Sequence, residues 1–357
     1  MRLAGGCPGI FTYRVPLLDA LALRGDYGLA ATSQRGKSPA VISPAAVVAS
    51  VLPVYLLIVA GAFFRKVGVI QKEHDAGIMR MVFSVMLPCF ILDKILGSPI
   101  LKSGSVVIWS IVLGFSLIIA GILIGVLIGK IMGLERGNGM RTFALAAGCQ
   151  NFGFTAAPVI EILWGGNALA LLFVHNIGVE TAMWSIGVMM MSGERGFKWR
   201  RLVNGPIFAV TIGLLLVAVG LDDHITGPFR KAISMIGAGA FPVAIFITGC
   251  SMIDLVGSEK PSWKIVLGSS VVRLMLAPMA ILAAAKFLPI STELKQVLVV
   301  QAAMPAGMTS ILLARLYGGR PAIAVQIVIA TTILSLITLP WIITWGSQWI
   351  GLKPLLP

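Results

Sequence analysis

From Ala45 onward, apolar stretches long enough to cross a bilayer follow one another through this 357-residue chain, separated by short polar connections. That feature excludes most folds at once. A span needs roughly 20 mostly apolar residues, and ten such stretches occur: 46–64, 77–97, 105–132, 140–163, 167–191, 203–221, 232–255, 262–288, 293–317 and 322–350. Composition agrees, at 57% hydrophobic and 12% charged, where soluble domains carry about 25% charged residues. Charge this sparse cannot cover the surface of a water-soluble globule. Within lipid only helices and closed barrels satisfy their backbone, and the strict alternation of barrel strands is absent. The expected class is therefore an all-α integral membrane protein, multi-pass, with ten transmembrane helices.

The net charge of +14 is carried in short Lys and Arg clusters between the apolar runs. This is the pattern of cytoplasmic loops and lipid headgroup contact, so membrane lipid is an expected partner and nucleic acid is not. With the first helix starting outside, the inside connections carry about twice as many basic residues as the outside ones, which sets the expected orientation. Residues 1–44 differ from the rest: they hold Arg2, Arg14, Arg24, Arg35 and Lys37 with no sustained apolar run. A signal peptide needs an apolar core of about 7–15 residues, which is missing, and the segment reads as a disordered tail or an over-extended start. Cys7, Cys89, Cys149 and Cys250, like His74, His175 and His224, are too scattered for a disulfide framework or a metal site.

Prolines suggest an internal duplication. Pro53 and Pro206, Pro88 and Pro242, and Pro158 and Pro305 recur in matching order at nearly equal separations. Two repeats of five helices, an odd number, must face opposite ways in the membrane, a recurrent design of secondary transporters. The expected division is 45–200 and 201–357. The fourth stretch concentrates Gly148, Gln150, Asn151, Gly153, Thr155 and Pro158 at mid-span, and the ninth is interrupted by Met304, Pro305, Ala306 and Gly307. Gly weakens a helix and Pro removes a donor, and broken backbone at that depth is tolerated only when it is buried or lines a wet cavity. Paired breaks in corresponding positions point to a transporter's binding site. Helix ends there would favour an anion, with Gln150 and Asn151 adding amide donors. The other reading is a pair of kinked structural helices packed through small residues.

The run from Asn151 to Pro158, the run from Gln301 through Pro305 to Tyr317, and the closing TTILSLITLP from Thr331 to Pro340 resemble the auxin efflux carrier family of membrane transporters. The similarity covers residues 46–350. It implies ten helices as two inverted five-helix repeats, with the broken helices 4 and 9 crossing at their centres, a fold similar to that of the bile-acid symporters and some sodium/proton antiporters. It places the family's crossover asparagine at Asn151 and its crossover prolines at Pro158 and Pro305. Plant members carry the indole-3-acetic acid anion; bacterial relatives are linked to malate and malonate. The long cytoplasmic loop of many plant members is missing here, since about ten residues from Ser192 to Arg201 join the fifth and sixth helices. That marks a compact, bacterial-type member rather than one dedicated to auxin.

The expected function is secondary transport of small organic anions by alternating access, with Gln150, Asn151, Gly153, Pro158, Met304, Pro305, Ala306 and Gly307 as substrate-binding candidates. The alternative is a sodium- or proton-coupled symporter of the bile-acid type. Glu180 lies mid-way along the fifth stretch, and Asn176 shares its helix face, with His175 beside it. An intramembrane carboxylate normally faces a cavity or a partner, so these three are coupling or gating candidates, against a structural hydrogen-bonded role. Asp93, at the end of the second stretch, is a gate candidate or a simple interfacial charge. Arg273, within the eighth stretch, needs a partner that the sequence does not name. No cofactor is called for beyond a coupling H+ or Na+, and a homodimer is compatible with such a fold. The expected location is the plasma membrane, the inner membrane in a bacterium. A channel or sensor without carrier activity is one rival. An embedded enzyme is another, but it would need a catalytic constellation, and no H-E-x-x-H occurs.

Overall fold

The computed structural model describes residues 44–193, 204–256 and 262–353. The expected tail, apart from Pro44, and the expected boundary at 200/201 lie outside the described residues. Twelve helices are named here in chain order: α1 Pro44–Lys66, α2 Lys72–Ile95, α3 Gly104–Ile131, α4 Arg141–Gly148, α5 Ala156–Trp164, α6 Gly166–Ser192, α7 Gly205–Ala218, α8 Gly227–Leu255, α9 Trp263–Phe287, α10 Thr292–Ala303, α11 Thr309–Leu316 and α12 Pro321–Ile350. Among the described residues, seven helices (α1, α2, α3, α6, α8, α9 and α12) are long and apolar enough to cross a membrane, and α7 is a shorter apolar helix. The fourth and ninth apolar stretches are each two short helices, α4–α5 and α10–α11, separated by non-helical links. α2 starts earlier than hydropathy alone suggests. Its first turn carries Glu73 and Asp75, which favour a helix N-terminus through the dipole but mask that turn as a span.

Pro88 has no N–H for the Ser84 carbonyl, and α2 widens into a π turn over Val82–Met86 just ahead of it. α9 does the same over Val272–Leu276 ahead of Pro278, and α8 is irregular at Gly239, shortly before Pro242. Such local widenings often sit at functional sites, and the first of these turns delivers Phe83 and Ser84 to the cavity described below.

Packing separates an interior from a lipid-facing exterior. On α1 the stripe Val48, Leu52, Leu56, Val59 and Phe63 is exposed, as are Ile333, Leu336, Ile337, Trp341 and Trp345 on α12. Apolar faces of this size do not belong in water. By contrast α10 is buried almost all round, from Val297 through Ala303, as is α6 from Ala168 through Asn176. Close helix approaches rely on glycine. A Cβ on Gly178 of α6 would lie 2.0 Å from the Ile111 carbonyl oxygen of α3, and one on Gly249 of α8 would lie 2.0 Å from that of Ile58 on α1. Small residues that let backbones meet are the usual device for packing helices in lipid.

Candidate functional site at the crossing of two broken helices

The two links meet. The Asn151 N–H donates to the Pro305 carbonyl oxygen at 2.7 Å, and the Gly307 N–H donates to that of Cys149 at 3.1 Å. Gln150 and Ala306 thus face each other as an antiparallel bridge. Each break leaves backbone groups that water cannot reach at this depth, and each supplies the other's missing partners. Side chains hold further groups. Thr331 of α12 accepts from the Ala306 N–H at 3.1 Å. The Phe152 carbonyl oxygen accepts from Asn176 Nδ2 and Gln301 Nε2, both at 3.1 Å. Asn151 Nδ2 donates to Thr155 Oγ1 at 3.0 Å, steadying the link where α5 begins. The first break spans Cys149–Thr155, so Pro158 falls inside the first turn of α5, where its missing N–H costs no helical bond. Pro305 lies within the second link itself.

A cavity of about 640 Å³ adjoins the crossing. One wall comes from the crossing and α6: Gln150, Asn151, Gly153, Asn176, Glu180 and Gly307 all line it. The facing wall comes from α2, α7 and α8, through Phe83, Leu87, Asn204, Val210 and Phe241. Glu180 Oε2 accepts from Asn204 Nδ2 at 2.7 Å, joining the two walls, while Asn204 Oδ1 caps α7 by accepting from the Ile207 N–H at 3.0 Å. Phe154 and Phe241, whose ring centroids are 6.3 Å apart, line the cavity, and Phe90 packs against Phe241 at 4.9 Å. Beyond them Lys94 of α2 pairs with Glu161 of α5 at 2.7 Å.

The structure therefore gathers Gln150, Asn151, Gly153, Asn176, Glu180 and Gly307 around one space. Pro158, Met304, Pro305 and Ala306 are outside the cavity lining and serve as the frame of the crossing. His175 is fully buried, with Nδ1 3.1 Å from the Ser110 carbonyl oxygen of α3, and does not line the cavity. Asp93 stands apart at the end of α2, where Arg230 of α8 binds its carboxylate at 3.1 Å and also its carbonyl oxygen. It forms an ion pair between α2 and α8. Sequence reading missed Phe83, Trp184, Asn204 and Phe241. Only Asn204 carried a local signal, as the helix-capping residue before Gly205-Pro206. Arg273 does find partners: Nη1 lies 3.3 Å from the Gly148 carbonyl oxygen and 3.4 Å from Gln150 Oε1. A charge in mid-membrane costs about 2.5–3.5 kcal/mol on insertion scales, so this placement needs a return.

Long lipid-facing helices and a cavity lined by both amides and aromatic rings at a helix crossing define the class as an integral, multi-pass membrane transporter. The family model described as membrane transport protein matches residues 46–198 and 194–343, and the chain belongs to that family, the auxin efflux carrier family. It is 30% identical over 152 residues to a probable auxin efflux carrier component 3b of Oryza sativa subsp. japonica, a match covering 42% of this chain and 26% of the rice protein. It is 23% identical over 317 residues to an uncharacterized transporter of Methanocaldococcus jannaschii, covering 85% of this chain and 98% of the archaeal protein.

Proposed function

We propose that the chain is a secondary transporter that carries small organic anions across the plasma membrane by alternating access. In this reading ten spanning segments form two five-helix repeats of opposite orientation: α1, α2, α3, the α4–α5 pair and α6, then α7, α8, α9, the α10–α11 pair and α12. The position of the broken pair, fourth in each half, supports this, as do the irregular turns of α2 and α8 ahead of Pro88 and Pro242. One observation carries the transport reading: the crossing forms one wall of the cavity while α2, α7 and α8 form the other. Movement of the crossing bundle against a scaffold of α1, α2, α7 and α8 exposes such a site alternately to the two sides.

The walls also bear on the substrate. Phe83, Phe154, Phe173, Phe241 and Trp184 surround the amides, and among the described residues no Lys or Arg lines the cavity. A second carboxylate would lie against aromatic rings without a cation, at a large desolvation cost. This favours a monocarboxylate with an apolar body over malate or malonate, in keeping with the name of the rice relative. The test is uptake by proteoliposomes of labelled indole-3-acetate, phenylacetate, malate and malonate. Saturable uptake of the aromatic acids, about tenfold or more above the dicarboxylates, is the expected result. No substrate-dependent flux with any of the four sinks the assignment.

Glu180 supports proton coupling as the second element of the reading. Among the described residues it is the carboxylate that lines the cavity, and it also spans the two walls through Asn204. Glu180→Gln preserves the shape and the hydrogen-bonding reach while removing the titratable group. The variant is expected to exchange substrate at the wild-type rate but to lose the acceleration of net flux by a pH gradient. Equal acceleration in both proteins would reject the role.

A further inference from the structure

We propose that Arg273 is the positioning residue that gives the cavity its preference for anions, an inference that rests on the anion-transport reading above. The guanidinium lies behind the crossing and is 0% exposed. Among the described residues no carboxylate is within ion-pair distance of it, and its Nε and Nη2 have no hydrogen-bond partner. Its contacts are Nη1 with the Gly148 carbonyl oxygen at 3.3 Å and with Gln150 Oε1 at 3.4 Å.

The chemistry of the groups dictates the rest. A guanidinium has donors only, so Gln150 must turn its amide oxygen toward Arg273. The amide NH2 is then the end left for the cavity, which Gln150 lines. Gly148 is the last residue of α4, and a helix C-terminus carries roughly half a negative elementary charge, which balances only part of the guanidinium. An anion on the far side of Gln150 completes the balance. On the other arm of the crossing the Ala306 N–H is held by a neutral group, the Thr331 hydroxyl. Positive potential thus reaches the site from one side, through an amide. A substrate held this way is attracted without a direct ion pair that would trap it.

Two properties separate this role from that of a staple for the α4 terminus. A staple would affect charged and neutral ligands alike, and it would depend on the guanidinium fork rather than on charge. The test uses full-length protein in nanodiscs with two probes of the same ring system, indole-3-acetate and uncharged indole-3-acetamide. Binding is read by calorimetry, and folding by thermal melting of the helical circular dichroism signal. Arg273→Gln is expected to raise the Kd of indole-3-acetate roughly 30-fold, the scale of one unit charge acting over about 8 Å at an effective dielectric constant of about 20. The Kd of indole-3-acetamide should stay within about twofold by the same reasoning, since no charge is involved. Arg273→Lys, which keeps the charge, should retain the preference for the acetate. An unchanged acetate Kd in Arg273→Gln, or equal weakening of both probes, overturns the proposal. If Arg273→Gln does not fold, loss of the preference in folded Arg273→Lys overturns it equally. Wild-type protein that binds neither probe, or both alike, removes the anion reading itself and this inference with it.

Discussion

Gly307→Val is expected to abolish substrate flux while leaving the protein folded in the membrane. A Cβ at this position would lie 2.8 Å from the Gln150 carbonyl oxygen and 3.3 Å from its carbonyl carbon. Those are backbone atoms, and they are held in place: the neighbouring Asn151 N–H is tied to Pro305 and the Gly307 N–H to Cys149. The arms of the crossing must part to admit the side chain, and the cavity wall moves with them. Overpacking typically costs 1–3 kcal/mol, so strain concentrated on the binding geometry corresponds to a loss of about 150-fold at the upper end. The three atoms nearest that Cβ all belong to Gln150 and Asn151 of the crossing, so the melting temperature should fall by only a few degrees. Initial uptake rates in proteoliposomes, together with melting curves of the same preparations, check both halves of the expectation. Near-normal uptake would mean that the crossing does not shape the site.

The second large effect is expected at Asn151. Its backbone N–H makes the link to Pro305, and its side chain donates to Thr155 while bordering the cavity. Asn151→Ala keeps the backbone link and removes the amide. A hydrogen bond to a charged group contributes about 1.5–3 kcal/mol, so loss of one to the substrate carboxylate raises KM by roughly 10- to 150-fold. Because Thr155 is the amide's one protein partner among the described hydrogen bonds, the change should fall on KM far more than on folded yield. A wild-type KM in this variant would remove Asn151 from the site.

Much of this arrangement was legible in the residues. Among the described residues, apolar run length alone located the seven helices long enough to cross a membrane, because lipid leaves the backbone no alternative. Gly148–Thr155 and Met304–Gly307 marked the breaks, because glycine and proline act on local backbone geometry that sequence exposes directly. Pro158 was grouped with the first break but falls just past it, inside the first turn of α5, since a proline tolerated in the first turn of a helix resembles one that interrupts it. The facing wall was not legible. Phe83 and Phe241 look like any other aromatic residue in a lipid-spanning run, and only the irregular turns ahead of Pro88 and Pro242 aim them inward. The Arg273–Gln150 contact joins residues 123 apart in sequence, and no local pattern encodes such a pairing. Asp93 was read as a gate or ion-pair residue or as a simple interfacial charge, and its partner Arg230, 137 residues away, was not legible.

Counterflow in proteoliposomes tests the central claim most directly. Vesicles containing the purified protein are loaded with unlabelled indole-3-acetate and diluted into a trace of labelled compound. A carrier with an alternately exposed site must accumulate label transiently above equilibrium, and saturably in the unlabelled substrate, with the overshoot absent in Gly307→Val. Monotonic equilibration of label without an overshoot, at a rate linear in concentration, would contradict the account, since it is the behaviour of an open pore.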